Sequence, residues 1–207
     1  MNIQLRFINR SNDCNTSSVV LFQRDTVPDF DEFAIAWHVI RYCGRDCIHP
    51  FVYSTDVEIA LSDDHGNFSP RLAAANGTRL AIAAQPNGRP RLSYARDGAA
   101  AQTDIEVANQ MVRGAVNVNA FNSGRLIASK SAVAPGQKAL FQFQPVLWIG
   151  VASQIEEGHA LDSAVLSSEN LELPLAGIAS ADIVLTGGGG GTAAQPFHFE
   201  LENIVRL

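Results

Sequence analysis

Lysine, cysteine and long apolar runs are all scarce in this sequence. No apolar stretch approaches the roughly 18–20 residues that cross a bilayer as a helix, so no membrane span is expected. The first residues, Met1-Asn2-Ile3-Gln4-Leu5-Arg6-Phe7, alternate polar and apolar and lack the apolar core of a secretory signal. There are three cysteines, Cys14, Cys43 and Cys47. An odd count without a signal leads us to expect free thiols and a cytoplasmic protein. Lysine occurs twice, at Lys130 and Lys138, against thirteen arginines. With 15 basic and 21 acidic side chains the net charge is −6, which argues against a general nucleic-acid binder. Charged residues make up 17% and hydrophobic residues 46%, too little charge and too much apolar side chain for a disordered chain.

What is abundant is the alternation of β-strands. Ile3, Leu5 and Phe7 alternate with Gln4 and Arg6. Val19–Gln23 and Ala34–Ile40 are short apolar runs suited to inner strands, and Val52–Leu61 alternates again. Asn76-Gly77, Asn87-Gly88, Asn122-Ser123-Gly124 and Pro135-Gly136 punctuate the chain at hairpin positions, where positive φ is needed. Short strands with turns every ten residues or so indicate an all-β fold. We expect an antiparallel β-sandwich with Greek-key or jelly-roll-like connections and little helix. Asp104–Val112 reads equally as helix or strand, and Ile155–Leu166 has room for one helical turn. The expected core includes Leu5, Phe7, Val20, Phe22, Trp37, Ile59, Ile82, Val118, Phe141, Phe143, Trp148, Ile183 and Phe199.

The chain is read as one compact domain over 1–207, with a division into two lobes near 97–103 as the alternative. Leu21-Phe22-Gln23 recurs as Leu140-Phe141-Gln142, each followed by a Trp. The Trp spacings differ, whereas a true repeat keeps a fixed period.

Few residues group in a way that suggests chemistry. Cys43, Cys47 and His49, with His38 nearby, combine thiols and imidazoles, the ligands zinc prefers. Asp25, Asp29, Asp31 and Glu32 form one acidic loop and Asp63-Asp64 another, the hard-oxygen chemistry that calcium takes. No nucleophile elbow is present. The glycine run Gly187–Gly191 lacks the Lys-Ser/Thr of a phosphate loop and reads as a hairpin loop.

Three functions follow as expectations. The first is a non-catalytic, self-associating structural protein whose partner is itself, needing no cofactor and pairing through Ile3, Leu5 and Phe7 or through Phe197 and Phe199. The second is a small-molecule or glycan-binding module that uses loops at one end of the sandwich, with or without calcium. The third is a metalloenzyme built on His38, Cys43, Cys47 and His49.

Overall fold

The computed structural model describes residues 2–13, 17–27, 34–63, 65–96, 98–161 and 170–207. Cys14, Asp29, Asp31, Glu32, Asp64 and Asp97 lie outside the described residues.

The fold is all-β and sandwich-like, as its alternating sequence predicts. Its strands in chain order are β1 (Asn2–Asn9), β2 (Ser18–Phe22), β3 (Ala36–Ile40), β4 (Ile48–Ser54), β5 (Val57–Ser62), β6 (Leu72–Ala74), β7 (Arg79–Ala84) and β8 (Pro90–Tyr94). They continue as β9 (Ile105–Asn109), β10 (Val116–Asn122), β11 (Arg125–Val133), β12 (Lys138–Phe141), β13 (Val146–Ala152), β14 (Leu171–Pro174), β15 (Ile178–Gly188) and β16 (Gln195–Arg206). Asp104–Val112 thus resolves as a strand, because Ile105 and Val107 both point into the core. Among the described residues the only helical turn is Gly191–Ala193.

The chain forms two compact units. The first comprises Met1–Gln23, Ile35–Thr55 and Pro145–Leu207; the second comprises Arg24–Ala34 and Asp56–Gln144. Each contains two four-stranded sheets: β14-β13-β2-β3 and β16-β15-β1-β4 in the first, β6-β5-β10-β11 and β8-β7-β9-β12 in the second. Most pairings are antiparallel; β1–β15 and β7–β9 are parallel.

Those strand orders are the same order, shifted by eight. β1 to β4 of the first unit take the places that β9 to β12 take in the second, and β13 to β16 those of β5 to β8. The one parallel pair of each unit falls at the corresponding place. Hydrogen bonds repeat with the strands. Asn9 ends β1 and Asn109 ends β9. Asn9 N–H donates to Cys47 O (3.0 Å), its Nδ2 to Cys43 O (2.6 Å), and its Oδ1 accepts from Ser11 N–H (2.8 Å). Asn109 N–H donates to Gln137 O (2.9 Å), its Nδ2 to Val133 O (2.9 Å), and its Oδ1 accepts from Met111 N–H (3.0 Å). The chain is therefore two successive eight-strand repeats, β1–β8 and β9–β16, and each unit is built from half of one repeat and half of the other. The stretch 97–103 falls between the repeats and inside the second unit. The echo of Leu21-Phe22-Gln23 in Leu140-Phe141-Gln142 is not part of this relation, since it matches β2 to β12 rather than to β10.

Most of the expected core is buried, including Leu5, Phe7, Val20, Phe22, Trp37, Ile59, Ile82, Val118, Phe141, Phe143, Ile183 and Phe199. Trp148 is the exception and is half-buried. Leu147 and Ile149 on either side of it point into the core, so strand alternation turns Trp148 to the opposite face, where it stacks on Phe22 at 6.3 Å.

The glycine run spans the end of β15, at Gly187 and Gly188, and the turn that leads into β16, so it forms the hairpin connection its composition predicts. Gly187 has φ +85°, and a Cβ there would lie 2.0 Å from Pro196 O. Any larger residue would push the hairpin apart.

Candidate functional site

The four residues expected to form a metal cluster separate into two adjacent features of the first unit. Cys43 and Cys47 are joined by a disulfide. This corrects the expectation of free thiols: their sulfurs bond each other and are not thiolate ligands. The bridge closes the loop connecting β3 to β4, two strands that lie at the edges of different sheets. Cys14 lies outside the described residues.

His38 and His49 do come together. β4 alternates, so His49, Phe51 and Tyr53 face inward while Ile48, Pro50 and Val52 face out. β3 presents Trp37 and His38 to this row. Trp37 is completely buried and meets Tyr53 edge-on at 5.7 Å and Phe51 at 6.3 Å. His38 lies beside Phe51, with ring centroids 5.5 Å apart, and beside His49 at 5.3 Å. The two imidazoles approach through their Nε2 atoms, 3.2 Å apart.

A third residue, missed in the sequence, completes the row. Glu157 Oε1 lies 2.6 Å from His38 Nδ1 and accepts a hydrogen bond from Val39 N–H at 3.0 Å. The segment carrying it runs along the outer edge of β3. Gly158 N–H donates to Ala36 O, Ala36 N–H donates to His159 O, and Ile35 bridges to Ala160. Glu157 is 119 residues from His38 in sequence, so no local spacing could reveal the pair.

The second unit provides an internal control. In register terms His49 opposes Phe7 as Ala139 opposes Val107, and His38 opposes Leu21, one residue before a bulge, as Ala128 opposes Ala120. Cys43 and Cys47 correspond to Val133 and Gln137, by the hydrogen bonds to Asn9 and Asn109. The same architecture forms with no histidine and no disulfide at these positions, so the fold does not require them.

A different feature occupies one end of the second unit. Three loops there, 63–71, 85–89 and 110–115, enclose a cleft of about 690 Å³. Phe68, Asn67, Gln85, Arg89, Met111 and Arg113 line it. Phe68 is 54% exposed and packs its edge on Phe121 at 5.6 Å. Asp63 fixes the first loop. Its Oδ1 accepts from His65 N–H and Asn67 N–H, and its Oδ2 from Asn67 Nδ2, each at 2.9 Å. The bonds from Asn67 hold the Asp63 carboxyl below its ordinary range. Both its oxygens are thus engaged within their own loop, and its neighbour Asp64 lies outside the described residues.

Asp25, the described member of the other acidic loop, has a fully buried side chain that pairs with Lys130 Nζ at 3.3 Å. Among the described residues no three His, Cys, Asp or Glu side chains group as a metal site.

The residues expected at an assembly edge divide. β1 is paired on both sides, by β15 and β4, so Ile3, Leu5 and Phe7 are core residues and offer no edge. β16 is an edge strand; in it Phe199 is buried and Phe197 half-buried. No helix is long and apolar enough to cross a membrane among the described residues.

Neither family models, nor curated proteins, nor solved structures gave a match to this chain.

Proposed function

We propose that this is a non-catalytic binding protein that takes an acidic carbohydrate or similar small anion in the loop-end cleft of its second unit. One observation carries the reading: an exposed aromatic face, Phe68, shares a cleft with two guanidinium groups, Arg89 and Arg113. Its volume lies within the roughly 300–1,000 Å³ of small-molecule sites. A flat ring stacks on a sugar face, and a guanidinium binds a carboxylate in bidentate fashion. A rigid sandwich presenting binding residues on loops is a general solution to recognition.

The test is a glycan array carrying neutral and uronic-acid oligosaccharides, followed by titration of any hit. We expect binding of the acidic set, lost in Phe68→Ala and weakened at least tenfold in Arg113→Ala. A blank array, or equal binding by both variants, would overturn it.

Self-association is the second reading, and a different observation favours it. At the end of edge strand β16, Ile204, Val205 and Leu207 are 42%, 55% and 78% exposed. A second copy of the chain would cover these side chains. Two features oppose simple strand addition, as edge strands commonly do. Pro50 lies in the other edge strand, β4, and Asn203 puts a left-handed residue (φ +49°) into β16. Light scattering on a size-exclusion column decides: a mass that falls to the monomer in Val205→Lys supports it, and a monomer of 22.2 kDa at high concentration rejects it.

A further inference from the structure

We propose that His38 and His49 form a two-imidazole site for a divalent transition-metal ion of the zinc class, with Glu157 as the residue that positions His38.

The argument begins with distance. Two metal–nitrogen bonds of about 2.0–2.1 Å at a tetrahedral angle place their nitrogens about 3.3 Å apart. The Nε2 atoms of His38 and His49 are 3.2 Å apart. Without a metal the same spacing holds a single N–H···N hydrogen bond. The ion therefore replaces one shared proton, and neither ring needs to move far.

Tautomer is the second consideration. Glu157 Oε1, 2.6 Å from His38 Nδ1, accepts a hydrogen bond from that nitrogen. A neutral imidazole that donates from Nδ1 carries its lone pair on Nε2, the atom facing His49. A carboxylate holding the far nitrogen of a metal-binding histidine is the usual supporting arrangement: it fixes the ring and raises its basicity. Glu157 is itself fixed, because the same oxygen accepts from Val39 N–H.

Rigidity comes next. His38 has a side chain only 9% exposed and is bracketed by Trp37 and Phe51. His49 is half-buried on an edge strand, so water or another small ligand can fill the remaining coordination positions. The Cys43–Cys47 bridge closes the connection between the strands carrying the two rings. Imidazole donors favour zinc, copper and nickel over magnesium or calcium.

Finally, the second unit builds the same strands with Ala128 and Ala139 at these positions. A paired histidine is an addition to the architecture, and alanine at both places is a substitution the architecture already accepts.

That makes the test clean. Untagged full-length protein is titrated with Zn²⁺ by calorimetry under non-reducing conditions, and Cu²⁺ is added for electron paramagnetic resonance. We expect one Zn²⁺ per chain and a Cu²⁺ spectrum with hyperfine structure from two nitrogens. His38→Ala and His49→Ala should each lower Zn²⁺ affinity at least tenfold and leave a one-nitrogen spectrum. Glu157→Gln should weaken Zn²⁺ by about 10- to 100-fold while keeping the two-nitrogen signature, which separates positioning from ligation. Circular dichroism confirms that each variant folds. Absence of stoichiometric Zn²⁺ binding would overturn the proposal. So would binding unchanged in the His38→Ala, His49→Ala double variant, because the metal would then sit elsewhere.

Discussion

Arg6 and Asp182 stand directly opposite each other on the parallel strands β1 and β15, joined by two hydrogen bonds of 2.7 and 2.8 Å. At the corresponding place in the second unit, on β9 and β7, Glu106 faces Arg79 at 2.8 Å. The ion pair recurs with its charges reversed: the strand that carries the cation in one unit carries the anion in the other. What the architecture keeps at this point is a pair, and either polarity serves.

Removing one partner of this pair should destabilise the protein. Asp182 is 2% exposed and also accepts from Asn203 Nδ2 at 2.8 Å. Arg6 is half exposed, so we expect Asp182→Ala to cost about 2 kcal/mol, below the roughly 3–5 kcal/mol of a fully buried pair. The Arg6 guanidinium holds the Asp182 carboxyl below its usual range, against the opposing effect of burial. A lowered pKa in the folded state gives stability that is present above the ordinary carboxylate range and lost as pH falls through the folded value. Denaturant midpoints at neutral and acid pH should therefore differ less in Asp182→Ala than in the wild type.

Tyr53 predicts a loss of stability at the alkaline end. Burial pushes its phenol up to about 12, against about 10 in an unfolded chain. The folded state then holds the proton more tightly than the unfolded state. The associated stability is complete below pH 10 and falls by about 1.4 kcal/mol per pH unit as pH rises toward 12. Tyr53→Phe should remove that slope. It should also cost about 1–2 kcal/mol at neutral pH, because the buried Gln23 loses the acceptor of its Nε2–H bond. Unfolding curves between pH 9 and 12 for the two proteins check both outcomes.

The disulfide is expected to stabilise without being essential. Its two cysteines are four residues apart, and so short a loop is worth about 2 kcal/mol in chain entropy. The double variant Cys43→Val, Cys47→Gln copies Val133 and Gln137 of the second unit. It should fold, lose about that much, and become insensitive to reductant, whereas reductant should lower the wild-type midpoint.

A cut between the repeats should not separate them. β1–β8 supplies four strands to each unit, and β9–β16 supplies the other four of each. Two independent four-strand interfaces hold the fragments, and linked interfaces multiply each other's affinity. Protein cleaved at a protease site engineered into 98–103 should elute at the mass of the intact chain. Elution of two separate fragments under native conditions would contradict the shared construction.

Much of the fold was legible in the sequence because alternation and turn residues act locally. Strand alternation marked Leu5 and Phe7 as core, and Asn87-Gly88 marked the β7–β8 hairpin. The break between the units was not legible. Val52–Leu61 reads as one alternating strand, yet the chain leaves β4 at Ser54 and enters β5 at Val57 in a different unit. Tyr53, Val57, Ile59 and Leu61 are all odd-numbered and all buried, so the pattern stays in phase across the break.

The duplication was hidden by its uneven spacing. Asn9 maps to Asn109 at an offset of 100, but Phe51, opposite Leu5, maps to Phe141, opposite Ile105, at an offset of 90. Few side chains survive between equivalent places, and Arg6 has become Glu106. What persists is the backbone register, which no composition records. At the candidate metal site His38 and His49 were visible because imidazoles are few. Glu157 was not, because what brings it there is the edge of β3.

Sharing each unit between distant halves has a consequence for how the protein is made. The second unit is complete once Gln144 has emerged from the ribosome. The first is not: β1 to β4 are finished by Ser54, and their partners end only at Arg206. At ordinary elongation rates the early strands wait about ten to thirty seconds, with the inner flanks of β1 and β2 bare. During that interval a neighbouring nascent chain could supply the missing half as well as the chain's own C-terminus can. Slow translation or crowded polysomes should therefore convert part of the product into interlocked pairs, a matter of timing rather than of sequence.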